Sequence, residues 1–121
     1  MRILNLTQHV ATQEQLAEGV FEPLQEMKNT IQRLLTFPEL PTKEEIEKTA
    51  QALSWMADAT GADAAMIGGA PFLMSRLEER LNALNIVPLY AFSQRESVER
   101  VQEDGSVRKV NVFRHLGFVE M

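Results

Sequence analysis

Three short runs of this sequence carry the side chains best suited to chemistry: Thr7-Gln8-His9, Gly68-Gly69-Ala70-Pro71 and Ser93-Gln94-Arg95. Together they offer hydroxyls, amides, one imidazole, one guanidinium and two glycines whose backbone a ligand can approach closely. That set suits an anion. A helix opening at Pro71 would aim unpaired N–H groups and the positive end of its dipole at a phosphate or carboxylate. Arg95 would add a charge-assisted, bidentate contact. His9 is the candidate acid or base. Plainer readings stand beside these. Gly68-Gly69 also serves as simple turn chemistry, His9 as a solvated loop residue, and Arg95 as a surface partner of Glu96 or Glu99. Ser93 with His9 remains open as a nucleophile–base pair, although no G-x-S-x-G elbow is present. Neither G-x-G-x-x-G nor the P-loop Lys-Ser/Thr occurs, so dinucleotide and Mg-NTP readings gain no support. His115, the other histidine, reads as structural, and with no H-x-x-H or H-E-x-x-H spacing no metal site is expected.

The elements that must position these residues follow from periodicity and punctuation. Residues 1–6, four of them apolar, break at Thr7, which predicts a buried strand running into a polar loop. Thr12-Gln13-Glu14-Gln15 forms a capping box for a short helix that stops at Gly19. Leu24, Met27, Ile31, Leu34 and Leu35 recur at helical spacing behind Pro23, predicting an amphipathic helix over 22–36. After the Phe37–Pro41 break, Thr42-Lys43-Glu44-Glu45 is a second capping box. It opens a helix over 43–60, with Ile46, Ala50, Leu53 and Ala57 as its apolar stripe and Trp55 expected to pack beside it. The glutamates at 44, 45 and 47 read as solvated surface near a helix N-terminus.

Residues 62–67 predict a second buried strand, 71–84 a helix ending at Asn85, and 86–92 a third strand in which Pro88 sits near the start. Strands separated by helices require crossovers, and so imply a parallel sheet with helices packed on its faces. In such sheets ligands bind beyond the carboxyl ends of the strands, where the three polar runs fall. The last quarter differs. Segments 96–103 and 106–113 flank Asp104-Gly105, a dipeptide that favours a hairpin turn, and 116–121 could add a last short strand.

The whole chain has 121 residues, no cysteine and 12 Lys+Arg against 17 Asp+Glu, for a net charge of −5. That size supports one core without staples, so a single domain over 1–121 is expected, with the hairpin as part of it. Lack of thiols excludes disulfides, Fe–S clusters and cysteine nucleophiles, and fits a reducing compartment. The first residues contain no signal-peptide h-region and no long apolar run occurs, so a cytoplasmic protein without membrane contact is expected. An acidic balance argues against long nucleic acid, but not against one small anion held locally.

Tyr90-Ala91-Phe92-Ser93-Gln94-Arg95-Glu96-Ser97-Val98-Glu99, the Glu103–Lys109 hairpin turn and Phe113-Arg114-His115-Leu116-Gly117-Phe118 stand in an order that resembles small CRISPR-associated, CARF-like proteins of the ring-nuclease type. Thr7-Gln8-His9 with Ala11-Thr12, and Ile67-Gly68-Gly69, loosely resemble the family's loops after the first and central strands, and depart from them in detail. The chain also looks like uncharacterised bacterial and phage proteins. The resemblance implies a Rossmann-like three-layer α/β fold with a short, mainly parallel sheet and a C-terminal β-hairpin. It further implies a homodimer that binds, and cleaves without metal or cofactor, a cyclic oligoadenylate or similar nucleotide. Binding would fall to Thr7, Gln8, Gly68, Gly69, Ser93, Gln94 and Arg95, and catalysis to His9 and Arg95. The alternative is a non-catalytic sensor or protein-interaction module using the same cleft or the hairpin edge.

Overall fold

The computed structural model describes residues 1–121. In chain order it contains β1 (Ile3–Leu6), α1 (Gln13–Ala17), β2 (Val20–Phe21), α2 (Gln25–Leu34), α3 (Lys43–Ala59), β3 (Ala64–Ile67), α4 (Pro71–Ala83), β4 (Val87–Val101) and β5 (Val107–Glu120). The five strands form one mixed sheet in the order β2-β1-β3-β4-β5. The first four strands run parallel and β5 pairs antiparallel to β4. The chain is therefore α/β, with the helical crossovers that parallel neighbours demand.

Alternation along the strands sorts the core into two sides. Leu4, Leu6, Ala65 and Ile67 join Ile31 of α2, Leu53 and Ala57 of α3, and Leu73, Leu77 and Leu81 of α4 in the larger cluster. Ile3, Ala64, Met66 and Leu89 point the other way, where Ala11 and Val20 complete a smaller cluster. Three helices cover one face, while the short α1 segment caps the other. The first capping box forms in full, Thr12 and Gln15 exchanging reciprocal bonds of 3.1 and 3.0 Å, whereas the second forms by half, the Thr42 hydroxyl accepting from the Glu45 amide at 3.1 Å with no return bond from the Glu45 side chain. Asn85, with φ of 59°, ends α4 in a left-handed turn.

Three expectations are corrected, and one strand is added: Val20 and Phe21, which carry no local pattern, form the two-residue β2 through a parallel ladder with β1. The second helix starts at Gln25 rather than 22, and Leu24 precedes it with its side chain in solvent. Trp55 does not pack beside the α3 stripe but is 59% exposed. The third strand and the first hairpin segment are one strand, β4, and residues 106–113 continue through 116–121 as β5. A bulge at Leu116, unpaired between the Phe92–Gly117 and Ser93–His115 pairs, absorbs the change of register.

Strand β3 pairs with β4 only over Val87–Leu89, so beyond that point β4 and β5 form a two-stranded ribbon. From Phe92 to Val101 this arm runs for about 30 Å at the usual rise per strand residue. No helix of the chain is long and apolar enough to cross a membrane.

Candidate functional site

Strand β1 leads through α1 to β2 on one side of it, whereas β3 leads through α4 to β4 on the opposite side. The connections diverge at the carboxyl ends of β1 and β3, and the loops leaving the two strands part to open a crevice. It encloses about 400 Å³ and is lined by Thr7, Gln8, His9, Val10, Thr12, Gln15, Met66, Ile67, Gly68, Gly69, Tyr90 and Ala91. Five of the residues singled out in the sequence, Thr7, Gln8, His9, Gly68 and Gly69, meet there.

Gly68 lies against Thr7, so that a β-carbon on it would stand 3.7 Å from the threonine methyl. Gly69 has φ of +155°, and a side chain there would press on Met74 at 3.4 Å. This conformation is available to glycine and strained for other residues. The amides of Gly68, Gly69, Ala70 and Phe72 donate to no backbone carbonyl, and Ala70 provides no side-chain cap for α4. Their hydrogen-bonding capacity is free for a ligand, at the positive end of a 13-residue helix.

The Thr7–His9 loop is held from beneath by Asn5 and Lys28, both almost fully buried, and from the side by the more exposed Glu22 and Thr36. Asn5 Oδ1 accepts from the Thr7 amide at 3.0 Å and from its hydroxyl at 2.7 Å. Asn5 Nδ2 donates to the His9 carbonyl at 2.7 Å and to Glu22 Oε1. Lys28, reaching in from α2, donates to the His9 carbonyl at 3.1 Å, to Glu22 Oε2 at 3.2 Å and more weakly to the Thr7 carbonyl at 3.4 Å. Gln8 Nε2 is tied to Thr36 at 2.9 Å. A buried ammonium is tolerated because every direction it faces offers an oxygen. The loop carbonyls are thereby turned toward the protein, while the His9 side chain stays exposed at the rim.

Asn5, Glu22 and Lys28 are absent from the sequence-level set. The signal for Lys28 was present: it precedes Ile31 and Leu35 at the spacing of the buried α2 stripe, where a cation has to be paired. Asn5 likewise interrupts an otherwise apolar strand.

Tyr90 lines the crevice and donates its hydroxyl to Glu78 Oε2 at 2.6 Å. Burial first, and then the carboxylate of Glu78, hold the Tyr90 proton well above the ordinary phenol range.

Ser93, Gln94 and Arg95 stand outside the lining, farther along β4 on the arm. Arg95 lies over the Phe113 ring at 5.7 Å and makes no ion pair with Glu96 or Glu99; Glu96 faces Arg114 at 3.6 Å instead. The crevice consequently contains no Lys or Arg side chain of its own. His115 is buried on the other face of the sheet, edge-on to Phe118 at 4.9 Å. Its Nε2 is 2.9 Å from Glu18 Oε1, off the hydrogen-bonding direction, and Nδ1 has no partner. This contact ties β5 to the turn after α1. No three His, Asp or Glu side chains gather where they could hold a metal ion.

No curated protein and no solved structure matches the chain. A family model does, over residues 1–119, and the chain belongs to the family it describes, the Uncharacterized protein MJ1673 family.

Proposed function

We propose, for this member of that family, that the crevice between β1 and β3 binds a small phosphate-bearing ligand, read from the sequence resemblance as a cyclic oligoadenylate, in a Rossmann-like cytoplasmic protein. The observation that carries the reading is the convergence of Thr7, Gln8 and His9 with the undonated amides of Gly68 and Gly69 at the point where the strand order reverses. Amides at a helix start favour a phosphate oxygen without a metal or a nearby cation. Glycines at the closest approach leave room for the phosphate.

Arg95 adds a constraint on ligand size. It stands five residues beyond Tyr90 on an extended strand, about 16 Å along it. A ligand touching both Gly68-Gly69 and Arg95 of one chain must exceed a mononucleotide, which fits a ring of linked nucleotides. A symmetric ring also suits two copies of the chain about a two-fold axis, each presenting the same loops.

Cleavage of such a ring is internal transesterification. The ribose 2′-oxygen attacks the adjacent phosphorus, the bond to the 5′-oxygen breaks, and a linear product with a 2′,3′-cyclic phosphate forms. His9 is the group at the rim able to take the 2′-hydroxyl proton or return one to the 5′-oxygen. The Gly68 and Gly69 amides would stabilise the charge that grows on the phosphoryl oxygens, while Arg95, farther along β4, would hold a different phosphate of the ring. Incubation of pure protein with cyclic tetra- and hexa-adenylate, followed by chromatography, should show linear products from at least one ring. Binding without turnover supports the alternative of a sensor that uses the same crevice, and neither binding nor turnover of either ring removes the reading.

A further inference from the structure

At the mouth of the crevice, β4 carries an aromatic side chain that the core does not use. Alternation puts Tyr90, Phe92 and Gln94 on one side of the strand, the side covered by α4, at steps of about 7 Å. Tyr90 packs against the larger core cluster and its hydroxyl is fixed by Glu78, so its ring is a settled part of the crevice wall. Phe92 joins neither core cluster and is 54% exposed. A phenylalanine paired with a glycine has an ordinary structural use, in which the ring lies over the glycine in place of the missing side chain. Phe92 does not do this. Gly117 is its partner across the ladder, and a β-carbon on Gly117 would meet no atom within 4 Å. The ring therefore borders an open gap with a glycine floor, closed on the crevice side by Val119, which pairs with Tyr90.

We propose that Phe92 is the stacking platform for a purine base of the ligand, and that Gln94 reads the edge of that base as adenine. The assignment rests on the phosphate reading of the crevice and adds the base to it. The β3–β4 register, with Met66 beside Leu89, brings the start of the Gly68-Gly69 turn level with Ala91, so Phe92 is the next residue outward. It also lies on the side of the sheet where α4 begins, and a nucleotide whose phosphate meets the free amides there has its base within reach of the ring. Inorganic phosphate or a sugar phosphate would use the amides and leave Phe92 in water. A base has an apolar face that gains by stacking on an aromatic side chain.

The polar group beside the ring decides which base. Gln94 is exposed, and its amide bonds to no other group of the chain. Arg114, which pairs with Gln94 across the ladder, is turned toward Glu96 at 3.6 Å. A carboxamide offers one acceptor and a donor side by side. That pair matches the amino group and N7 of adenine, whereas guanine presents two acceptors, O6 and N7, and leaves the amide oxygen facing another oxygen. An arginine at the same place would match guanine instead.

Titration calorimetry with cyclic tetra-adenylate and cyclic tetra-guanylate tests it. The wild type should bind the adenylate ring about tenfold more tightly than the guanylate ring. Phe92→Ala should weaken adenylate binding about tenfold, and Phe92→Trp should retain it, both with an unchanged circular dichroism spectrum. Gln94→Arg should reverse the base preference. A fluorescence readout isolates the stack: Trp55 is the one tryptophan and is exposed, so Trp55→Phe/Phe92→Trp places a single reporter at the platform. Adenosine monophosphate should quench its emission and ribose 5-phosphate should not. Adenylate binding untouched by Phe92→Ala, a base preference untouched by Gln94→Arg, or equal quenching by the two phosphates would overturn this assignment and leave the crevice reading in place. Quenching by adenosine monophosphate that survives an added Gly68→Asp would support the platform and remove the phosphate contact. Neither ring binding and no quenching would overturn both.

Discussion

At the scale of residues, the Lys28 ammonium and the His9 imidazole do opposite work. Lys28 is sealed beneath the loop and satisfies its carbonyls, while His9 is left exposed at the crevice rim. Lys28 is buried but the Glu22 side chain is 32% exposed, so water partly compensates the carboxylate and the loss on removing the ammonium is about 1–3 kcal/mol. Lys28→Met should lower the urea midpoint accordingly, and the added Glu22→Gln change should recover part of that loss; additive losses would show that the two side chains are not coupled. His9→Ala, by contrast, should leave the unfolding free energy within about 0.5 kcal/mol of the wild type, as surface changes do. It should abolish ring cleavage while retaining ring binding, as read by separate turnover and calorimetric titrations.

At the scale of elements, punctuation decides where the chain turns and tertiary pairing decides how far each strand runs. Thr12→Ala removes the hydroxyl half of the reciprocal cap on α1, a helix too short to persist unaided, and leaves the backbone amide of residue 12 bonded to Gln15. The expected loss is about 1 kcal/mol, measurable by denaturant unfolding. At Gly19, φ is +109° and a β-carbon would collide with the Met1 carbonyl, so Gly19→Ala should be more damaging than the cap variant. The elements legible in the sequence were those with local signals: the Thr12 and Thr42 caps, Pro71 at a helix start and the Ile31–Leu35 stripe. The two-residue β2 was illegible because a strand that short has no periodicity, and exists through its ladder with β1. The arm was divided too early because Ser93-Gln94-Arg95 reads as a loop. The pairing that makes it a strand comes from His115, Arg114 and Phe113, some twenty residues away in sequence. For the site, Thr7–His9 and Gly68-Gly69 followed from the strand-end rule, whereas Asn5, Glu22 and Lys28 depend on distances between elements that no local pattern contains.

At the scale of the whole molecule, one titration links crevice and core. Tyr90 joins the crevice wall to Glu78 of α4, and its pKa in the folded protein lies above its unfolded value. Folding therefore favours the neutral phenol. That contribution is complete below the ordinary phenol value of about 10, and is lost as pH rises from there toward the folded value. Urea unfolding between pH 8 and 11 should show stability falling above about pH 10, and the fall should be shallower in Tyr90→Phe. Identical slopes would exclude Tyr90 as a source.

The same scale holds the main functional claim, that an acidic protein can hold a phosphate ring through backbone amides and a glycine-lined crevice. Titration calorimetry of the pure protein with cyclic tetra- and hexa-adenylate tests it most directly. Saturable binding of at least one ring, lost in Gly68→Asp and insensitive to removal of divalent metal, is the predicted result. No heat from either ring, or binding untouched by Gly68→Asp, would contradict it.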